Sequence, residues 1–148
     1  MSLQTQIMDA LKTAMKAKDT VALEALRAIK SEILLAQTAA AGAEFTAEDE
    51  IKLLQKLVKQ RKDSATIFTE QNRADLAEPE LAQIAVIEQF LPAQLSEAEV
   101  EQIVAGIISK GGFSGIASMG QVMGLASKNL AGQADGKTIS TIVKKLLA

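Results

Sequence analysis

The sequence predicts an all-α fold in two parts, an N-terminal helical, bundle-like domain followed by a small multihelical C-terminal domain. Three observations carry this expectation. Apolar residues recur at three- and four-residue spacing in each long segment, as one buried helix face requires. No segment alternates between apolar and polar over several residues between turn signals, as a half-buried strand would. Pro92 disfavours helical angles at Leu91, and Ser96 with Glu99 then forms a capping box for a new helix. The linker falls at about 91–95, giving domains 1–91 and 92–148.

The first helix shows Leu3, Ile7, Leu11 and Met15 in an i, i+4 ladder, thickened by Met8 and Ala14. Asp19 is placed to cap a second helix carrying Leu23, Leu26, Ile29, Ile33 and Leu34, which fades into an alanine-rich tract with Gly42 as its stop. Thr46 and Asp49 form a capping pair for a long third helix. Glu48 and Glu50 suit its positive end, and Ile51, Leu54, Leu57, Val58, Ala65 and Phe68 mark its stripe. Leu81, Ile84, Ile87 and Leu91 define a fourth, with Pro79 expected in its first turn, where a missing N–H does no harm. After the linker come a helix through about Ile108, a glycine-rich turn "SKGGFSG", a short helix "SMGQVMGLASKNL" and a turn "AGQADGK". The closing helix sets Ile139, Ile142, Val143, Leu146 and Leu147 on one face.

Composition narrows the chemistry. The chain has 148 residues, 48% of them hydrophobic, enough for a core. It contains no cysteine, histidine, tyrosine or tryptophan. Thiolate chemistry, the commonest general base and the usual zinc sites are therefore excluded, and no catalytic residue, metal site or cofactor is expected. Neither a signal peptide nor an apolar run of about 20 residues is visible, so a cytoplasmic protein without a membrane anchor is the expectation.

Charge is unevenly placed. Residues 1–90 hold 11 Lys/Arg against 14 Asp/Glu, and residues 91–148 hold 5 against 4. Past Glu101 the only acid is Asp135, against five lysines, so the tail is locally basic. It is also rich in glycine: eight of nine glycines lie between Gly106 and Gly136. Gly120 and Gly124 are four apart on one helix face, at a combined cost of about 1–2 kcal/mol relative to alanine. A close backbone approach would offset that cost. Either a neighbouring helix packs tightly there, or a phosphate backbone lies against the face with lysines at its rim.

"MGQVMGLASKNLAGQADGKTISTIVKKLL" (119–147) resembles the tail domain of the GatB/YqeY family, shared by the GatB subunit of tRNA-dependent amidotransferase and stand-alone YqeY proteins. The matching residues are Met119 to Met123, Gly132, Ala134-Asp135, and the spaced Ile139, Val143 and Leu147. "LRAIKSEI" (26–33), "LVKQRKDSA" (57–65), the Arg73, Leu76, Glu80 run and "FLPAQLSEAE" (90–99) extend the resemblance, specifically to YqeY, over nearly the whole chain. It implies two helical domains, with tRNA contact through the tail near the elbow and chemistry performed by a partner. An aminoacyl-tRNA synthetase or an amidotransferase is the partner it suggests. Amidotransferase tails often carry lysine where this chain has Gly124.

The candidate tRNA-contacting residues are Lys110, Lys128, Gly132, Lys137, Lys144 and Lys145, with Gly120 and Gly124 shaping the surface. Weak, salt-sensitive binding is the expectation. A second basic group, Lys52, Lys56, Lys59, Arg61 and Lys62, sits on the third helix, where it equally suits a solvated face with pairs such as Lys59–Asp63. Arg27 and Lys30 are expected to pair structurally with acids such as Glu24 or Asp63. Phe45, Phe68 and Phe90 are expected in the core, and Phe113 either exposed or anchoring its loop. With so few aromatic platforms, recognition by shape and backbone fits better than stacking on unpaired bases. Two other functions are weighed. One is a protein-interaction module without RNA binding. The other, carbon–nitrogen ligase activity with glutamine as amido donor in its own right, lacks an ATP loop, a nucleophile signature or a Ser/Lys arrangement to carry it.

Overall fold

The computed structural model describes residues 2–40 and 42–148, and these form seven α-helices with no strand among the described residues. They are α1 (Leu3–Ala17), α2 (Thr20–Ala39), α3 (Ala47–Glu70), α4 (Ala74–Glu88), α5 (Glu97–Gly111), α6 (Met119–Asn129) and α7 (Gly136–Leu147). A 3₁₀ turn, Ile116–Ser118, leads into α6. The chain divides into two compact units, Met1–Leu91 and Pro92–Ala148.

The N-terminal unit is built from two helical hairpins, α1–α2 and α3–α4, with α2 packed against α4. Ile7, Leu26, Ile29, Leu54 and Ile87 are fully buried at its centre. Burying each side chain of this kind stabilises by about 1.5–3 kcal/mol relative to exposure. Phe45 and Phe90 pack against this core, and Phe68 is half-buried. The buried stripe is narrower than the apolar set in the sequence. Met8, Met15, Leu34 and Leu81 keep the helical spacing yet remain 48%, 60%, 49% and 55% exposed.

The helix starts follow their capping residues. The Asp19 carboxylate accepts the Ala22 N–H at 3.0 Å. Thr46 and Asp49 close a reciprocal box, with Asp49 N–H donating to Thr46 Oγ1 at 3.2 Å and Thr46 N–H to Asp49 Oδ2 at 3.0 Å. Ser96 Oγ accepts the Glu99 N–H at 3.2 Å, but the Glu99 carboxylate meets the Ser96 hydroxyl at 3.2 Å instead of its N–H, so only one arm of the box expected there forms. Three helices end in one motif, in which a left-handed residue and its successor return N–H groups to the last turn. That residue is Lys18 (φ 56°) after α1, Asn72 (φ 58°) after α3 and Gly112 (φ 64°) after α5.

One boundary departs from the expectation. Helix α4 begins at Ala74, so Pro79 lies in its second turn, where its missing N–H forgoes the bond to the Asp75 carbonyl. The early start has a local cause. The turn at Asn72 feeds directly into the helix, and the Arg73 carbonyl accepts Leu76 and Ala77 N–H, both at 3.0 Å. The Arg73 guanidinium also grips Asp75 at 3.0 and 2.9 Å.

The C-terminal unit packs three short helices around Val100, Val104, Val122, Ala126, Leu130, Ile139 and Val143. Its entry strap is tied down by polar contacts. Gln94 Nε2 donates to the Gly132 carbonyl at 2.6 Å, and Leu95 N–H donates to the Gln133 carbonyl at 2.9 Å. Phe113 folds back so that its ring lies over Gly111, and it anchors the loop between α5 and the 3₁₀ turn. Among the described residues no single helix is long and apolar enough to cross a membrane. Helix α5 and the stretch Ile116–Asn129 pass that test only together, bent by 98°; their apolar residues supply much of this unit's core.

Candidate nucleic-acid interface

Helix α6 presents two unlike faces. Val122 and Ala126 point into the core, while Gly120, Gly124 and Lys128 form an outer row at four-residue spacing, with Leu125 beside it. Beyond the adjoining residues and the helix's own backbone, no atom lies within 4 Å of where a Cβ would stand at Gly120 or Gly124. The first explanation for this pair, a helix packed tightly on them, is therefore overturned within the unit: both are exposed and face open space. Nothing inside the unit requires glycine at either position, as is also true of Gly106 in α5 and Gly136 at the start of α7, and alanine would favour the helix by about 0.5–1 kcal/mol each.

Gly132 is different. It is buried, takes φ 78° in the turn between Leu130 and Gln133, and offers its carbonyl to Gln94. Its conformation serves that turn. Asp135, placed by the sequence in a turn and among the residues that carry the family resemblance, caps α7 by accepting the Thr138 N–H at 2.6 Å. It thereby sets the helix register that carries the remaining lysines.

Those lysines are exposed. Lys110 ends α5, Lys128 ends α6, and Lys137 and Lys144 lie two turns apart on α7. Lys145 is held by Glu101 at 3.4 Å. Among the described residues, no carboxylate lies within 4 Å of Lys110, Lys128, Lys137 or Lys144. The unit's acids are engaged at helix starts: Glu97 and Glu99 in the first turn of α5, and Asp135 at the cap of α7.

The second basic group has a partner for every member. Lys52 meets Glu48 at 3.0 Å, Lys56 meets Glu32 at 3.9 Å, Lys59 meets Asp63 at 3.0 Å and Lys62 meets Glu88 at 3.9 Å. Half-buried Arg61 donates to Gln83 Oε1 at 2.9 Å and to the Leu57 carbonyl at 3.1 Å, while Gln83 Nε2 donates to Glu24 at 3.0 Å. This relay joins α2, α3 and α4. The pairing expected for Arg27 and Lys30 does not form among the described residues. Glu24 is taken by Gln83, and Asp63 by Lys59.

The acidic run at 44–50 is a helix start. The Thr46 backbone N–H, then its hydroxyl, holds the Asp49 carboxyl below the usual carboxylate range. The same direction applies to Asp75, where the Arg73 guanidinium is the main cause. Among the described residues, no three acids converge in a way that could hold a metal ion.

A two-unit, all-α chain with a lysine-edged, glycine-bearing outer helix thus defines a class of small helical protein whose candidate surface offers backbone and positive charge. Over residues 4–147 the sequence matches the family described as Yqey-like protein, and the chain belongs to that family. It is similar to "Altered inheritance of mitochondria protein 41, mitochondrial" of Pyrenophora tritici-repentis, 31% identical over 93% of this chain and 76% of that protein. The protein of the same name from Lachancea thermotolerans is 38% identical over 68% of this chain, which spans about half of it, 54%. A glutamyl-tRNA(Gln) amidotransferase subunit of Thermococcus gammatolerans is 31% identical over 66% of this chain and 16% of its own length. The relation to amidotransferases expected from the tail residues therefore holds.

Proposed function

We propose that this protein is an accessory in tRNA-dependent amidation or aminoacyl-tRNA handling, and that its C-terminal unit binds tRNA weakly while a partner performs the chemistry. The observation that carries this reading is the bare outer face of α6, where Gly120 and Gly124 stand open and Lys128 ends the row. A phosphate–ribose backbone can approach such a face to within contact of the main chain, and lysines with no acid within 4 Å among the described residues supply the charge. The relative named as a glutamyl-tRNA(Gln) amidotransferase subunit supports tRNA as the nucleic acid.

The binding mode is one of shape and charge. The chain has four phenylalanines and no other aromatic residue. Phe45, Phe90 and Phe113 are packed against the two cores, which leaves few platforms for stacking bases. If three to five phosphates are neutralised, log K should fall with log salt at a slope of roughly −3 to −4.5, taking about 0.9 per phosphate. Titrating isotope-labelled protein with total tRNA, followed by NMR at about 50 and 200 mM salt, tests this. Shifts confined to residues 110–147 that vanish at the higher salt are expected. Their absence at millimolar protein and low salt would overturn the reading.

A further inference from the structure

The outer side of the α1–α2 hairpin is apolar and cationic at once. On α1, Met8, Lys12 and Met15 fall in one row at i, i+4, i+7, and on α2, Arg27, Lys30 and Leu34 fall at i, i+3, i+7. Lys30 and Met8 both line a small recess of about 20 Å³ on the hairpin, together with Gln4, Ile7 and Ile33. All six row residues are exposed, and among the described residues none of the three cations has an acid within 4 Å. Such a face differs from α3, where every cation is matched. Exposed methionines suit an adaptable contact.

The α3–α4 hairpin carries the complementary surface. An open groove of about 370 Å³ lies between the two helices, lined by Ala65, Thr66, Thr69 and Glu70 of α3 and by Leu81 of α4. Helix α4 contains four acids and no basic residue, and Glu78 shares a face with exposed Leu81. The one cation on the groove, Lys62, is engaged by Glu88 at 3.9 Å. Glu70 and Glu78 have no cation within 4 Å among the described residues.

We infer that a second copy of this chain docks here, the Met8–Leu34 face of one copy seating in the α3–α4 groove of the other. Charge complementarity selects that occupant: Arg27 and Lys30 oppose Glu70 and Glu78, while Met8 and Leu34 cover Leu81. The two faces are different surfaces, so the contact is head to tail. It is independent of RNA binding, which the other unit carries.

Sedimentation of the full chain at low salt, from about 10 µM to 1 mM, tests the contact, since surface charges are weakly screened there. Concentration-dependent association is expected. The pair Arg27→Glu with Lys30→Glu should weaken it tenfold or more, and so should Glu70→Lys with Glu78→Lys. All four positions lie on the surface, and circular dichroism checks that the variants fold. Mixing the two variants in equal amounts should restore association, because each reversed face then meets its opposite. A monomer throughout the range overturns the inference. So does association that neither reversal changes, or two weakened variants that fail to rescue each other.

Discussion

Two of the groups of basic side chains in this molecule, one on α3 and one in the C-terminal unit, differ in what stands opposite them. On α3, Lys52, Lys56, Lys59 and Lys62 each meet a carboxylate, and Arg61 is tied into a relay through Gln83 to Glu24. In the C-terminal unit, Lys110, Lys128, Lys137 and Lys144 meet none within 4 Å among the described residues. The sequences of the two groups look alike; their surroundings do not. Acids are plentiful in the first unit and sit a helix turn or one helix away. In the second there are four, and Glu97, Glu99 and Asp135 serve helix starts while Glu101 holds Lys145. A cluster of positive charge is thus a candidate site only where the fold leaves it unmatched.

The largest expected effect separates the groups directly. Lys128→Gln with Lys144→Gln should lower tRNA affinity tenfold or more at about 50 mM salt and flatten the salt slope by roughly 1.8, because two fewer phosphates are neutralised. Lys52→Gln with Lys59→Gln should leave affinity within about twofold. Fluorescence anisotropy with labelled tRNA reads both, and equal losses would erase the distinction. Next in size, Arg61→Met leaves Gln83 Oε1 without its donor and cuts the relay to Glu24, while the Leu57 carbonyl keeps its helical N–H partner. It should cost about 1–2 kcal/mol in urea unfolding with tRNA affinity unchanged. Lys18→Gly relieves a left-handed lysine and should raise stability by about 0.5–1 kcal/mol, a gain read in the same unfolding experiment.

The smallest effect is acid sensitivity at the start of α3. Asp49 is held below its ordinary value of 3.8 by the Thr46 N–H and hydroxyl. A depressed folded-state value means that its stabilisation is present above that ordinary value and is lost as pH falls through the folded one. The helix start should therefore loosen below about pH 4. Amide shifts of Thr46 and Asp49 followed from pH 6 to pH 2 check this, and Asp49→Asn should remove the transition.

Much of the fold was legible in the residues. The caps at Asp19, Thr46 and Ser96 act where their chemistry places them, because a short polar side chain before an apolar period satisfies N–H groups that nothing else can reach. Pro79 misled because proline favours a first turn, whereas the end motif at Asn72 and the Arg73–Asp75 grip start α4 five residues earlier. Met15 and Leu34 fit the period yet lie outside, since spacing fixes a direction on the helix and not the width of what covers it. At the candidate interface, the lysines were legible from the loss of acids beyond Glu101. The openness of Gly120 and Gly124 was not. Four-residue spacing serves a packed helix and a bare face equally, and only the positions of neighbouring atoms distinguish them.

The most direct test of the central claim is the pair Gly120→Ala with Gly124→Ala, measured for thermal stability and for tRNA affinity on the same protein. With open space at both Cβ positions, the substitutions should stabilise α6 by about 0.5–1 kcal/mol each and raise the melting temperature. If a nucleic-acid backbone lies against that face, two added methyl groups should lower tRNA affinity severalfold at the same time. A protein that becomes more stable and binds tRNA as well as before would contradict the account.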